Sequence, residues 1–170
     1  CSTLLSVSLP GAAVISSGAN STESGVTSND YNTVFKGDTL WNETLRHGGT
    51  TAVCGSDESQ IMFGPWINYS ITVNSSMPGE KSFVFNRTNG GTPTITMLAD
   101  YRDSIIAVYA GQIVQKYKPT FMVVHLSETD ESAHANGTIN PDGSISTTYA
   151  EAIQNDDKYI RCVLDNYTAA

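Results

Sequence analysis

Basic side chains are scarce in this chain. Nine Lys and Arg stand against 17 Asp and Glu in 170 residues, for a net charge of −8. That argues against nucleic acid as a partner, because a polyanion is held by clustered Lys and Arg. Long apolar runs are also missing: none approaches the roughly 20 residues that a membrane-crossing helix requires. The expectation is therefore a soluble chain with no membrane span. The first residues carry no basic stretch followed by an apolar one, so a precursor with its signal peptide is not expected. Cys1 reads either as a lipid-modified residue exposed by signal cleavage or as the place where a fragment begins. Cysteine is sparse, with only Cys1, Cys54 and Cys162 and no CxxC pair. A cysteine zinc cluster is not expected on that spacing, and an odd count allows one disulfide plus a spare, or none. Cys54 follows "TTAV" and reads as a buried strand residue.

What is present fits one globular domain with a sizeable core: apolar residues make up 39% of the chain and aromatics 9%. The acidic excess is compatible with holding divalent cations through carboxylates. Asparagine adds a signal of compartment. Seven N-x-S/T triplets occur, at Asn20, Asn42, Asn68, Asn74, Asn86, Asn136 and Asn166. That density suggests a secreted, glycosylated surface carrying N-linked glycans.

The order of elements can be read from local chemistry. "SLPGAAVISSGAN" has Pro10 in a first turn and Gly18 at its end, which predicts a short helix. "STESGVTSNDYN" reads as turn-rich loop. "DTLWNETLRHGG" predicts a helix capped by Asp38 and stopped by Gly48 and Gly49, with Leu40, Trp41 and Leu45 facing the core. "TTAVC" reads as a buried strand. An excursion follows at about 64–96, in which "SITV" and "SFVF" are short β pieces. "TMLADYRDSIIAVYAGQIVQKYK" has Leu98, Ile105, Val108, Tyr109, Ile113 and Tyr117 at helical spacing, and Pro119 ends it. "TFMVVHL" is a second buried strand, and "STTYAEAIQNDDKYIRCVLDNY" a closing amphipathic helix. Helix and strand in alternation predict an α/β domain over 1–170 with a mainly parallel sheet. Two clear strands are few for this length, so part of the sheet is expected to come from missing segments or from other subunits.

In open α/β sheets, ligands gather beyond the carboxyl ends of the strands. "FMVVHLSETDESAHANG" places Asp130 and His134 there, four residues apart. One helical turn would put that oxygen and that nitrogen ligand on one face, as a divalent cation requires; a solvated loop is the plainer alternative. His125, inside the strand, reads as a packed core histidine, and His47 as a helix-end or solvated one. At least one of Asp156 and Asp157 reads as surface charge. Ser8 on its own would be a helix cap.

Taken together, "KPTFMVVHLSETDESAHANG", "YAEAIQNDDKYI" and "SVSLPGAAVISSGANSTESGVTSND" resemble the alkaline phosphatase superfamily, most of all its type I phosphodiesterase and nucleotide pyrophosphatase branch. "GDTLWNETLRHGGTTAVCGSDE" follows the same path, so the resemblance covers most of the chain apart from roughly 64–96. It implies an alkaline-phosphatase-like α/β fold and a metal-dependent phosphoester hydrolase working through a seryl-phosphate. Ser8 is then the nucleophile, and Asp130 and His134 ligate one of two zinc or other divalent ions. Gly11 and Ser24 stand where the family has a polar residue and a histidine. The family's other ligands would lie outside these 170 residues, which makes the chain a central section with half a ligand set. The other reading is a non-catalytic glycosylated surface or assembly protein that retains the fold.

Overall fold

The structure is a computed structural model and describes residues 7–30, 35, 37–55, 62–74, 81–87, 94–97 and 102–170. Its helices are α1 (Ser8–Ser17), α2 (Ser21–Ser24), α3 (Leu40–Arg46), α4 (Arg102–Tyr117), α5 (Glu128–Asn136) and α6 (Thr147–Thr168). Its strands are β1 (Thr51–Cys54), β2 (Tyr69–Asn74), β3 (Lys81–Arg87), β4 (Thr94–Met97) and β5 (Phe121–Val124). They form one five-stranded sheet in the order β4-β3-β2-β1-β5. β1 lies parallel to both β2 and β5, while β3 and β4 extend the sheet antiparallel. The α/β class, with a small three-stranded parallel part of the sheet flanked by helices, is therefore what the chain forms.

Alternation along β1 and β5 builds two apolar layers, because successive strand side chains leave opposite faces. Val53, Phe121 and Val123 join Leu9, Trp41 and Phe63 on one face, beneath α1 and α3. Ala52, Cys54, Met122 and Val124 join Ile106, Ala110 and Ile113 on the other, beneath α4. Strands covered on both faces read as continuous apolar runs, which is why "TTAVC" and "FMVV" could be recognised locally. β2, β3 and β4 come from the segment expected to be an excursion with short β pieces; β2 joins the sheet parallel to β1, and β3 and β4 extend it antiparallel.

Several local expectations are corrected. "STES" is not loop but the one-turn α2, held by a capping box in which Asn20 and Glu23 bond each other's backbone N–H groups. The cap of α3 is Thr39, not Asp38, which instead pairs with Arg46 at 2.9 Å. Leu40 is exposed, and Asn42 is buried in its stead because it closes the Thr39 box. α4 starts at Arg102, after a strand that ends at Met97, and it turns Ile106 rather than Val108 inward. Leu98 lies outside the described residues. His125 follows β5 and is exposed, so it is not a core histidine; its backbone N–H donates to Cys54 O at 2.8 Å. His47 is at the helix end and exposed, as expected, in the C-cap position of α3.

Among the described cysteines, Cys54 and Cys162 are both free. Burial pushes the Cys54 thiol up to about 12, so it is a core residue and not a nucleophile. Among the described residues, no helix is long and apolar enough to cross a membrane.

Candidate functional site

The parallel strands β1 and β5 end side by side. At that end the backbone of Gly55 lies so near His125 O that an added Cβ would sit 2.2 Å from it. From there the chain passes through Leu126 and Ser127 into α5, whose first turn carries Glu128, Asp130 and Glu131. Acidic side chains at a helix N-terminus complement its dipole, which favours helix from this otherwise polar stretch. The turn brings Asp130 and His134 to one face, with His134 Nε2 3.6 Å from Asp130 Oδ1 and both side chains largely exposed. Two ligand atoms of a tetrahedral ion bound at about 2.1 Å stand about 3.4 Å apart, so the pair fits two corners of such a site. Among the described residues no third His, Cys, Asp or Glu completes a group with them.

A separate group of three does form. Asp103, Glu128 and Asp156 present carboxylate oxygens within 4.8 Å of one another. They come from the first turn of α4, the first residue of α5 and the middle of α6. Asp103 is 1% exposed. Its Oδ2 accepts from Glu128 N–H at 2.7 Å, and Glu128 Oε1 accepts from Asp103 N–H at 3.2 Å, so two helix N-termini cap one another. Asp156 Oδ2 accepts from Thr129 Oγ1, while its Oδ1 is buried with no hydrogen-bond partner. Burial pushes the Asp103 carboxyl up to about 7; the Glu128 N–H pulls it down, and the neighbouring Asp156 and Glu128 charges push it up again. Burial, and then the Glu128 charge, also raises the Tyr159 phenol, which a hydrogen bond with Ser104 partly offsets. The donor set is all oxygen, which suits a hard cation such as magnesium or calcium better than zinc. Sequence reasoning missed Asp103 and Glu128. Each looks like an ordinary first-turn acid, and only the packing of three helices joins them with Asp156. Asp157, its neighbour, is exposed.

Ser8 is exposed at the first position of α1, on an element that packs with α2 and α3. It is not the cap, since Val7 holds that position without a side-chain bond. Nor does the first turn offer a full set of free N–H donors. Leu9 N–H already donates to Asn29 Oδ1 at 2.9 Å, and Pro10 has none.

The asparagines of the N-x-S/T triplets sit in different settings. Asn136 is exposed at the end of α5, and Asn20 is half-buried with its oxygen capping α2. Asn42 is buried, with its nitrogen donating to Gly37 O and its oxygen accepting from Thr39. Asn68 Oδ1 accepts from Thr51 N–H at 2.8 Å. Asn166 bridges α6 to Gln115 of α4 and donates to Cys162 O. Asn74 and Asn86 belong to β2 and β3.

No family model and no curated protein matches this sequence. Among solved structures, the chain is similar to BT4656, solved in complex with its substrate D-glucosamine-2-N,6-O-disulfate, with a TM-score of 0.53 and 19% identity. The likeness covers 83% of this chain and 30% of that one, so the chain spans under a third of the protein it matches. At this identity the comparison establishes a shared fold alone.

Proposed function

We propose that this chain is part of an extracellular, metal-dependent hydrolase of phosphoesters, of the type I phosphodiesterase and nucleotide pyrophosphatase kind. The observation that carries the reading is the Asp130–His134 pair, set at 3.6 Å on the helix that follows β5. Asp130 and His134 would hold a zinc or other divalent ion; Asp103, Glu128 and Asp156 form a separate all-oxygen group that could hold a hard cation. A bound divalent ion supplies Lewis acidity toward an ester oxygen and lowers the pKa of a nearby hydroxyl. Ser8 Oγ is the nucleophile in this reading. It forms a bond to phosphorus as the bond to the leaving alcohol breaks, and water then hydrolyses the phosphoserine. The fold is shared with a protein whose substrate is a sulfated sugar, so aryl sulfates belong in the same assay as aryl phosphodiesters.

The test is metal analysis of the purified protein together with hydrolysis of a generic aryl phosphodiester and an aryl sulfate. Ser8→Ala should lower turnover by about 10³-fold or more, and His134→Ala should lower bound metal. Turnover unchanged in Ser8→Ala overturns the mechanism. A second reading, a non-catalytic glycosylated surface or assembly protein with a degenerate site, is favoured by one observation. Leu9 N–H is bonded to Asn29 where a phosphate-holding helix would leave it free. A protein that binds no divalent metal and hydrolyses neither ester would establish that alternative.

A further inference from the structure

Asp103 of α4, Glu128 of α5 and Asp156 of α6 bring three carboxylates together, where α6 packs against both of the other helices. Among the described residues, no Lys, Arg or His forms an ion pair with any of the three. Asp103 is 1% exposed, so bulk water does not screen it. Like charges brought this close in a poorly solvated place need a proton or a cation between them.

Two orphaned oxygens point to the cation. Asp156 spends Oδ2 on the hydroxyl of Thr129, and its Oδ1 is wholly buried with no hydrogen-bond partner. Ser132 Oγ is buried without a partner too. It stands four residues after Glu128 and three after Thr129, on the side of α5 that carries the Asp156 contact. Buried acceptors are paired in nearly all folded proteins, so an orphaned carboxylate oxygen among further carboxylates calls for an electropositive ligand. The other two residues have capacity left. Asp103 Oδ2 and Glu128 Oε1 each accept from the other's backbone N–H, and a carboxylate offers about four lone-pair positions. Spacing and donor type then select the ion. The three oxygens lie within 4.8 Å of one another. Oxygens on opposite sides of a calcium ion stand about 4.6–5.2 Å apart, whereas around magnesium the limit is about 4.2 Å. With no nitrogen or sulfur in the set, zinc is disfavoured.

We propose that Asp103, Glu128 and Asp156 bind a calcium ion that ties the starts of α4 and α5 to the middle of α6, at a site separate from the Asp130–His134 pair. Each residue gives a carboxylate oxygen, Asp156 through Oδ1, and water completes the six to eight oxygens that calcium takes. The ion's work is to hold three helices together. It steadies α5, the helix that carries Asp130 and His134, and it does so whether or not that pair serves an ester hydrolase.

Calcium titration of the metal-stripped protein tests this, with binding read by calorimetry and stability by thermal unfolding. A hundredfold excess of calcium over its Kd should raise the unfolding temperature by at least about 5 °C. Asp156→Asn and Glu128→Gln each remove one charge and keep an acceptor, and each should weaken calcium binding at least about tenfold. Asp157→Asn, the same change at the exposed neighbour, should leave binding as it is, and so should Asp130→Asn. Terbium, a hard oxygen-seeking cation, gives a second readout. Tyr159 lies one turn from Asp156, and its phenol is raised by burial and then by the Glu128, Asp103 and Asp156 charges. Terbium emission excited through tyrosine should therefore dim in Tyr159→Phe and be displaced by calcium. A stripped protein that takes up no calcium overturns the proposal and leaves a proton on Asp103 as what neutralises the group. Equal loss of binding in Asp157→Asn overturns it as well, and loss in Asp130→Asn would assign the calcium to the other pair.

Discussion

Trp41 ties the α1–α3 layer to the sheet through three kinds of contact. Its ring stacks on Phe63 with centroids 5.9 Å apart, meets Phe121 of β5 edge-on at 4.8 Å, and donates its indole N–H to Ser16 Oγ at 3.2 Å. Trp41→Ala should cost roughly 3–5 kcal/mol in urea unfolding, because both the transfer energy and a cavity are lost. Ser16→Ala leaves the buried indole donor unpaired and should cost roughly 1–3 kcal/mol; no change in midpoint would mean that this bond contributes nothing. Asp103 makes a prediction in pH. Its folded-state carboxyl titrates at about 7 against an ordinary 3.8, and burial is the largest cause. Between those values the unfolded chain is ionised while the folded one keeps its proton, so the folded state binds more protons. Stability from this group then falls as pH rises from about 4 to about 7 and levels off above. Asp103→Asn, which keeps an acceptor for Glu128 N–H, should flatten that slope in urea midpoints taken across the window.

At the scale of elements, the ends of β1 and β5 approach each other closely at Gly55. Gly55 has φ +85°, and a Cβ there would lie 2.2 Å from His125 O, a backbone atom that cannot turn aside. Gly18, which ends α1, has φ +73° and open space around it. Ala at Gly18 should cost about 1 kcal/mol for the left-handed backbone alone. Ala at Gly55 should cost roughly 2–4 kcal/mol, since the strand ends must also part. Equal losses in thermal or urea unfolding would refute the close approach. How far elements could be read in advance follows from where their information lies. "TTAVC" and "FMVV" declare themselves because a doubly covered strand is apolar throughout. β2 and β4 mix apolar residues with Ser, Thr and Asn, β3 sets its short apolar run between polar residues, and their membership of the sheet is set by distant partners. On α4, Ile105, Tyr109, Ile113 and Tyr117 pack toward the sheet as their spacing suggests, while Val108 is exposed and Ile106 and Ala110 are buried instead. The helix is apolar on more than one side, and only the sheet beneath it selects Ile106 and Ala110 over Val108. Asp130 and His134 could be paired from spacing, but nothing local connects Asp103 with Glu128 or Asp156.

At the scale of the whole molecule, the seven N-x-S/T triplets become a test of compartment and of the fold together. A glycan joins the asparagine side-chain nitrogen, so a site can be used only where that nitrogen reaches solvent in the folded chain. Asn136 meets this condition. Asn20 meets it too, because its oxygen rather than its nitrogen caps α2. Asn42 does not: it is 8% exposed, and its nitrogen points to Gly37 O within the box that starts α3. Asn166 is also closed, with its nitrogen bonded to Cys162 O and packed against Gly111 of α4. Sugar added to Asn42 during synthesis would disrupt that box and the packing of Trp41 beside it, so such chains should not leave the cell folded. In protein secreted from eukaryotic cells, peptide mass mapping after enzymatic deglycosylation in heavy-oxygen water should show label at Asn136 and Asn20 and none at Asn42 or Asn166. Label at Asn42 in folded, secreted protein would contradict the structure of α3. A protein that bears no glycan at any of the seven would remove the main support for an extracellular setting, while leaving the hydrolase assay to be decided on Ser8, Asp130 and His134 alone.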